Sequence, residues 1–239
     1  MKRIFDLLAS TLLVVFFLPV IGLALMAVFL SDWSNPLYSA SRVGKNGKDF
    51  KMYKIRSMIN NAESSGVDST AENDSRITFI GSVIRKFKID ELSQLLNVMI
   101  GNMSLVGPRP NVKKAVAEYS KDEQLILEVQ PGITDFSSIV FNDEGRILSD
   151  SLDPDLEYDQ TIRPWKSRLA IIYAKNNTIT LDCKILLLTV TTFFNKSLAL
   201  SLLVKEISKY TNDELLLRVC ARKELKPPKG NPPGKSSEE

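Results

Sequence analysis

Residues 12–30 read LLVVFFLPVIGLALMAVFL, an uncharged apolar run that is interrupted only by Pro19 and Gly22. A run of this length reaches the roughly 20 residues that a helix needs to cross a bilayer core of about 30 Å. Three interpretations compete. The run is a cleaved signal peptide, a straight transmembrane helix, or a re-entrant helix that enters and leaves through one leaflet.

The residues on both sides of the run favour the re-entrant helix. Lys2 and Arg3 precede it, and residues 42–56 follow it with six basic side chains and a single acidic one. The positive-inside rule therefore places both flanks in the cytoplasm. Asp6 and the poor cleavage motif after residue 30 argue against a signal peptide.

Pro19 is placed for the turn of such an anchor. It lacks the backbone N–H that would bond to the carbonyl of Val15, so the helix is expected to kink there. The arms of roughly 7 and 11 residues would be about 10 and 16 Å long at 1.5 Å per residue. Each arm would then reach about halfway through the hydrocarbon core.

The composition excludes several kinds of site. The 239 residues include no histidine, which removes the usual base of a Ser or Cys triad and the commonest zinc ligand. Cys183 and Cys220 form no Cys-x-x-Cys pair, so neither a disulfide framework nor a structural zinc is expected. The net charge of +3 is small, and we expect no nucleic-acid partner.

The remaining sequence predicts an α+β fold that is mostly helical. A mixed apolar and basic pattern predicts a strand over residues 50–58, and apolar spacing predicts helices over 89–103, 112–129 and 163–176. The apolar stretch 181–204 fits either a buried core helix or an interfacial helix.

These patterns divide the chain into three regions. We expect a re-entrant membrane anchor over residues 1–31 and a compact cytoplasmic catalytic domain over 32–205, with short strands and interfacial amphipathic helices. Residues 206–239 are expected to form a basic, Pro-rich tail, disordered from residue 218 onward.

The candidate chemistry lies in residues 85–110, RKFKIDELSQLLNVMIGNMSLVGPRP. Asp90 and Glu91 are adjacent carboxylates at the start of a predicted helix, where they could serve only as an N-cap and a first-turn anion. The basic residues around them favour instead a metal-bridged phosphate site, in which arginine binds phosphate and a carboxylate ligates Mg²⁺ or attacks phosphorus. The candidate cations are Lys54, Arg56, Arg76, Arg85 and Arg109.

Several motifs follow one another in a characteristic order. They are Lys2-Arg3-x-Phe5-Asp6, Phe50-x-x-Tyr53-Lys54-x-Arg56-Ser57-Met58, Asp74-x-Arg76-Ile77-Thr78, Asp90-Glu91-Leu92-x-Gln94-Leu95-Leu96-Asn97, Gly107-Pro108-Arg109-Pro110 and Pro131-Gly132-Ile133-Thr134. Together they resemble the bacterial sugar transferase family, the monotopic polyprenol-phosphate phosphoglycosyl transferases, in its small form. The resemblance covers residues 1–193. It departs from the usual motifs at Leu18, where serine is common before the proline, and at Ser93, where proline is usual.

The resemblance implies a reaction and its site. A sugar 1-phosphate would pass from a UDP-sugar to polyprenol phosphate of the undecaprenol class, giving polyprenyl-diphospho-sugar and UMP, as the first membrane step of surface glycan or glycoprotein glycan synthesis. Asp90 would form a covalent phosphosugar-aspartyl intermediate and ligate Mg²⁺, Glu91 would assist as a base or orienting group, and Arg109 would hold phosphate. Gln94 and Asn97 join the substrate-binding candidates.

The resemblance also implies a location at the bacterial inner (cytoplasmic) membrane, with the active site on the cytoplasmic face. The sugar, the glycan pathway and homo-oligomerisation stay open. Two alternatives compete with the transferase. One is a membrane-bound diphosphatase that uses the same carboxylate with water as acceptor, and the other is a non-enzymatic anchored binding protein.

Overall fold

The computed structural model describes residues 1–62 and 69–224, and it confirms a mostly helical α+β fold. The helices and strands are α1 (Lys2–Asp32), β1 (Leu37–Val43), β2 (Asp49–Ile55), α2 (Phe79–Lys86), α3 (Gln94–Ile100), β3 (Ser104–Val106), α4 (Lys113–Ala117), β4 (Gly132–Thr134), α5 (Phe136–Val140), α6 (Glu144–Ile147), α7 (Pro154–Glu157), α8 (Arg163–Asn176), α9 (Ile179–Phe194), α10 (Lys196–Ile207) and α11 (Glu214–Cys220). Short 3₁₀ turns occupy Lys45–Gly47, Ile89–Glu91 and Glu123–Glu128, and a π turn, Tyr158–Ile162, precedes α8.

Helix α1 contains the whole apolar run and continues through Pro19 as one helix. A proline removes one intrahelical hydrogen bond, so it can kink a helix without dividing it. By length and composition α1 could cross a membrane. Its middle is exposed, with Val15 at 67% and Phe16 at 74%, whereas Asp6 near its start and Val28 near its end are buried against the domain.

Two small sheets carry the loops of the candidate site. β1 and β2 pair antiparallel, from Leu37 opposite Ile55 to Val43 opposite Asp49. β3 and β4 pair in parallel, and their ends approach so closely that a Cβ atom on Gly107 would lie 2.2 Å from the carbonyl oxygen of Gln130. Glycine is therefore required where the chain leaves β3 towards Arg109.

The main core lies between α5, α8, α9 and α10, around fully buried Trp165 and Tyr173. Residues 181–204 were expected to form either a buried core helix or an interfacial helix. Helix α9 has one buried face and one exposed apolar face. Ile185 on one face is buried in the core, whereas Phe193 and Phe194 are exposed. The structure does not contain a bilayer, so the interfacial role of this apolar face stays a prediction.

Two other segments differ in extent from the predicted elements. The helix predicted over residues 112–129 is divided into α4 and the 3₁₀ turn Glu123–Glu128, because the buried Glu123 carboxylate accepts hydrogen bonds from Ser120 N and Ser167 Oγ. The helix predicted over 89–103 is likewise divided into the turn Ile89–Glu91 and α3.

The predicted tail begins inside α10. Residues 206–224 of the predicted tail include α11, whose Leu216, Val219 and Cys220 pack into the core. The burial of these apolar side chains orders the helix despite the basic residues beside it. The remainder of the predicted tail, residues 225–239, lies outside the described residues.

Candidate active site

Asp90 lies on the 3₁₀ turn Ile89–Glu91, which follows Lys88 in a left-handed conformation (φ 56°). Its side chain is 7% exposed, and Oδ1 has no hydrogen-bond partner in the described part of the chain. The residue that precedes α3 is Ser93, and it makes no side-chain cap. An N-cap carboxylate would accept a hydrogen bond from a helix N–H. The capping interpretation of Asp90 therefore has no support in the contacts.

Glu91 and two cations form the charged part of the site. Arg109 Nη2 donates to Glu91 Oε1 at 2.8 Å, and Lys54 Nζ lies 3.5 Å from both Glu91 Oε1 and Asp90 Oδ2. Burial would raise the pKa of Glu91, but Arg109 and Lys54 outweigh it and hold the pKa well below its usual range. Glu91 therefore stays ionised and bound to Arg109, whereas Asp90 Oδ1 has no hydrogen-bond partner within the described residues.

The two cations are placed by different elements. Lys54 comes from β2, and Arg109 follows the close approach of β3 and β4, between Pro108 and Pro110. The charge of Glu91 raises the pKa of Arg109, whose side chain is 39% exposed and can reach a ligand. Burial lowers the pKa of Lys54, the charge of Glu91 opposes this shift, and the charge of Arg109 adds to it.

Gln94 lies in the first turn of α3, four residues after Asp90. Its side chain is 1% exposed, and neither amide atom has a hydrogen-bond partner among the described residues. A buried amide without a partner costs about 1–3 kcal/mol per group, so such groups call for a specific explanation. The amide of Gln94 is accordingly a candidate for contact with a substrate.

Three of the predicted binding residues have other partners. Arg56 donates to Asp32 at the end of α1, with Nη2 at 2.7 Å from Oδ1. Arg76 pairs with Asp74 at 2.7 Å. Asn97 is fully buried and bridges α3 to β2. The structure thus brings Lys54, Asp90, Glu91 and Arg109 together, with Gln94 at the start of the following helix α3 and Arg85 in the last turn of α2. It gives Arg56, Arg76 and Asn97 structural contacts.

The structure adds two residues that sequence reasoning did not select. Lys166 of α8 pairs with Glu144 at the start of α6 and lies 5.1 Å from the ring centre of Tyr158. The charge of Glu144 contributes to the raised pKa of Arg109. No local motif marks either residue, because 22 positions separate them along the chain.

The carboxylates of the candidate site offer few ligands for a metal ion. Residues 1–62 and 69–224 contain no cluster of three or more His, Cys, Asp or Glu side chains that could hold one. Mg²⁺, however, is commonly held by one or two carboxylates together with waters and substrate phosphates. The unpartnered Oδ1 of Asp90 fits such a shared site, whereas Glu91 is already bound to Arg109.

Comparison with known proteins identifies similar sequences. The family described as "Bacterial sugar transferase" matches residues 1–196. A UDP-N-acetylgalactosamine-undecaprenyl-phosphate N-acetylgalactosaminephosphotransferase of Aeromonas hydrophila is 33% identical over 71% of this chain and 41% of the relative. An undecaprenyl-phosphate glucose phosphotransferase of Komagataeibacter xylinus is 36% identical over 79% of this chain and 35% of the relative.

A third relative is covered more fully. The UDP-glucose:undecaprenyl-phosphate glucose-1-phosphate transferase of Caulobacter vibrioides is 30% identical over 76% of this chain and 70% of the relative. The chain therefore spans less than half of the first two relatives and about two thirds of the third. The names of the three relatives specify two different sugars, so they do not select one for this chain.

Proposed function

Because the chain belongs to the bacterial sugar transferase family, we propose that it transfers a sugar 1-phosphate from a UDP-sugar to polyprenol phosphate of the undecaprenol class. The products are polyprenyl-diphospho-sugar and UMP. The observation that carries the proposal is the buried carboxylate of Asp90, which keeps one oxygen unpartnered beside Lys54 and the Glu91–Arg109 pair. The names of the three relatives describe undecaprenyl-phosphate sugar phosphotransferases, in agreement with this reaction.

The reaction proceeds in two displacements at one phosphorus atom. Asp90 Oδ1 attacks the sugar-bearing phosphorus of the UDP-sugar, the bond to the bridging oxygen breaks, and UMP leaves with the electron pair. A phosphate oxygen of the polyprenol phosphate then attacks the phosphosugar-aspartyl intermediate. The bond to Asp90 breaks, and the carboxylate is restored.

The surrounding charges reduce the repulsion between a carboxylate and a diphosphate. Lys54 and Arg109 place two cations beside Asp90, and Glu91 orients Arg109 through the 2.8 Å hydrogen bond. Since the pKa of Glu91 is lowered, its carboxylate is a poor base. We therefore assign to Glu91 the orientation of Arg109 rather than proton transfer. Asp90 would help to hold Mg²⁺, which would supply further positive charge against the diphosphate.

The contacts of α1 support a monotopic anchor. Arg3 at its start and Asp32 at its end both contact the same domain, at α3 and at Arg56. A helix held on one domain at both ends cannot place those ends on opposite sides of a bilayer. We propose a re-entrant helix in the inner membrane with the active site on the cytoplasmic face, and the exposed apolar face of α9 resting on the same leaflet.

Substitution of Asp90 tests the chemistry. Asn is as good a helix cap as Asp but a far poorer nucleophile, so Asp90→Asn should lower UMP release by at least about 100-fold while the protein stays folded. Full activity of a folded Asp90→Asn variant would rule out the covalent role. Exchange of labelled UMP into UDP-sugar without lipid is expected for the wild type, whereas sugar phosphate released in water without lipid would favour the diphosphatase.

Labelling tests the topology. Ile4→Cys and Lys45→Cys, each in a Cys183→Ser background, should react with a membrane-impermeant maleimide from the same face of a vesicle. Reaction from opposite faces would contradict the re-entrant anchor. A screen of UDP-sugars with a short polyprenol phosphate would then identify the donor.

A further inference from the structure

The first two turns of α1 bind the segments that carry the candidate catalytic residues. The guanidinium group of Arg3 donates to the carbonyl oxygen of Val98, and its Nη2 donates to that of Met99 at 2.7 Å. Asp6 Oδ1 accepts a hydrogen bond from Leu105 N at 3.1 Å. The first contact reaches the end of α3, and the second reaches β3, the strand that leads to Arg109.

Helix α3 depends on contacts of this kind at its end. It has seven residues and ends at Gly101, whose φ of +100° is left-handed. Helices this short are marginal on their own, and the carbonyl groups of a last turn lack the usual partner four residues on. Val98 O accepts instead from Gly101 N at 3.1 Å and has a second lone pair for Arg3. A cation that bonds two of these carbonyls also interacts favourably with the negative end of the helix dipole. Arg3 therefore stabilises the end of α3.

The other end of α3 continues into the turn that carries Asp90. Leu95 N donates to Leu92 O and Leu96 N to Ser93 O, each at 3.1 Å, and Ser93 Oγ donates to the carbonyl oxygen of Asp90 at 3.1 Å. These bonds connect the helix and the turn rigidly. A shift at the end of α3 would therefore move the carboxylate of Asp90.

We infer that Arg3 is a positioning residue of the active site, which acts through the two carbonyls of α3 to hold Asp90 and Glu91 in place. The inference rests on the proposed function. The positive-inside rule requires only a positive charge at position 3. The positioning role requires in addition a guanidinium group that bonds two carbonyls. Lysine keeps the charge but lacks the planar fork that bonds two neighbouring carbonyls.

Arg3→Lys separates the two roles. Its kcat for sugar-phosphate transfer should fall by between about 10-fold and 100-fold, the cost of a small misplacement of catalytic groups, with the KM for UDP-sugar little changed. Flotation with liposomes should be unchanged. Amide hydrogen exchange should become faster in α3. Arg218→Lys, at an exposed position of α11, is the matched control and should match the wild type in every measurement.

The results that would overturn this inference differ from the result that would contradict the proposed function. Arg3→Lys with wild-type kcat and exchange would show that charge alone suffices and would overturn the inference. Loss of flotation, or failure of the variant to fold, would assign Arg3 to membrane insertion or overall stability and overturn it as well. An inactive wild-type chain would instead contradict the proposed function.

Discussion

Asn97 joins helix α3 to the edge of strand β2. Its replacement tests whether its amide supports the fold or binds substrate. Its side chain is fully buried. Nδ2 donates to the carbonyl oxygen of Lys51 at 2.7 Å, and Oδ1 accepts from Tyr53 N at 2.9 Å. The amide thus satisfies two backbone groups of β2, next to Lys54.

The expected cost of Asn97→Ala follows from these two bonds. A typical hydrogen bond contributes about 1 kcal/mol net, and a buried group left without its partner costs about 1–3 kcal/mol. Loss of both bonds, with partial access of water to the strand edge, should lower the free energy of unfolding by about 2–4 kcal/mol. For a domain of this size, that corresponds to a fall in Tm of roughly 5–15 °C.

The assay combines stability and kinetics. Thermal unfolding in detergent is measured for Asn97→Ala and for Asn177→Ala. The control removes an exposed amide that, within residues 1–62 and 69–224, bonds only to Ala174 O at 2.7 Å. The control should change stability by no more than about 0.5 kcal/mol. Below the transition, Asn97→Ala should lower kcat, because Lys54 loses its support, and leave the KM for UDP-sugar nearly unchanged.

A different result would refute the structural role. An unchanged Tm for Asn97→Ala together with a raised KM for UDP-sugar would mean that the amide binds substrate and that the bridge to β2 contributes little.

Three further predictions concern other parts of the molecule. Lys54 has a lowered pKa, so activity should fall with rising pH well below the usual lysine range as this cation is lost; Lys54→Arg should move that alkaline limit upward in a pH–rate profile. Gly107→Ala would place a Cβ atom 2.2 Å from a carbonyl oxygen and should lower the free energy of unfolding by at least about 3 kcal/mol in a denaturant titration, a result that a wild-type titration curve would contradict. Burial raises the pKa of the Cys220 thiol to about 12, so N-ethylmaleimide should modify the half-buried Cys183 and spare Cys220 in the native protein, as mass spectrometry of peptides can check.

Local sequence was sufficient to predict the long apolar helix α1 and the central candidates of the site. An apolar run of helical length is a property of consecutive residues, so α1 could be predicted with Pro19 inside it. Asp90 and Glu91 are adjacent in sequence, and the stiff Pro108–Pro110 segment marks Arg109. The mostly helical α+β class followed from residue spacing in the same way.

The contacts of these groups were decided by tertiary structure. Arg56, Arg76 and Asn97 have the residue types of a binding site, but their partners are Asp32, Asp74 and the edge of β2. A guanidinium or an amide binds the acceptors that the fold places within about 3 Å. Asp32 lies 24 residues from Arg56 in sequence, and Lys51 lies 46 residues from Asn97.

Tertiary contacts also give the two adjacent carboxylates different surroundings. Sequence alone could propose Asp90 and Glu91 only as a pair, since they have the same charge and nearly the same intrinsic pKa. The fold brings Arg109 to Glu91, 18 residues away, and leaves Oδ1 of Asp90 unpartnered within the described residues. The sequence therefore determined which groups were candidates for chemistry, and tertiary structure decided which carboxylate is paired, because electrostatic pairing depends on distance and burial in space.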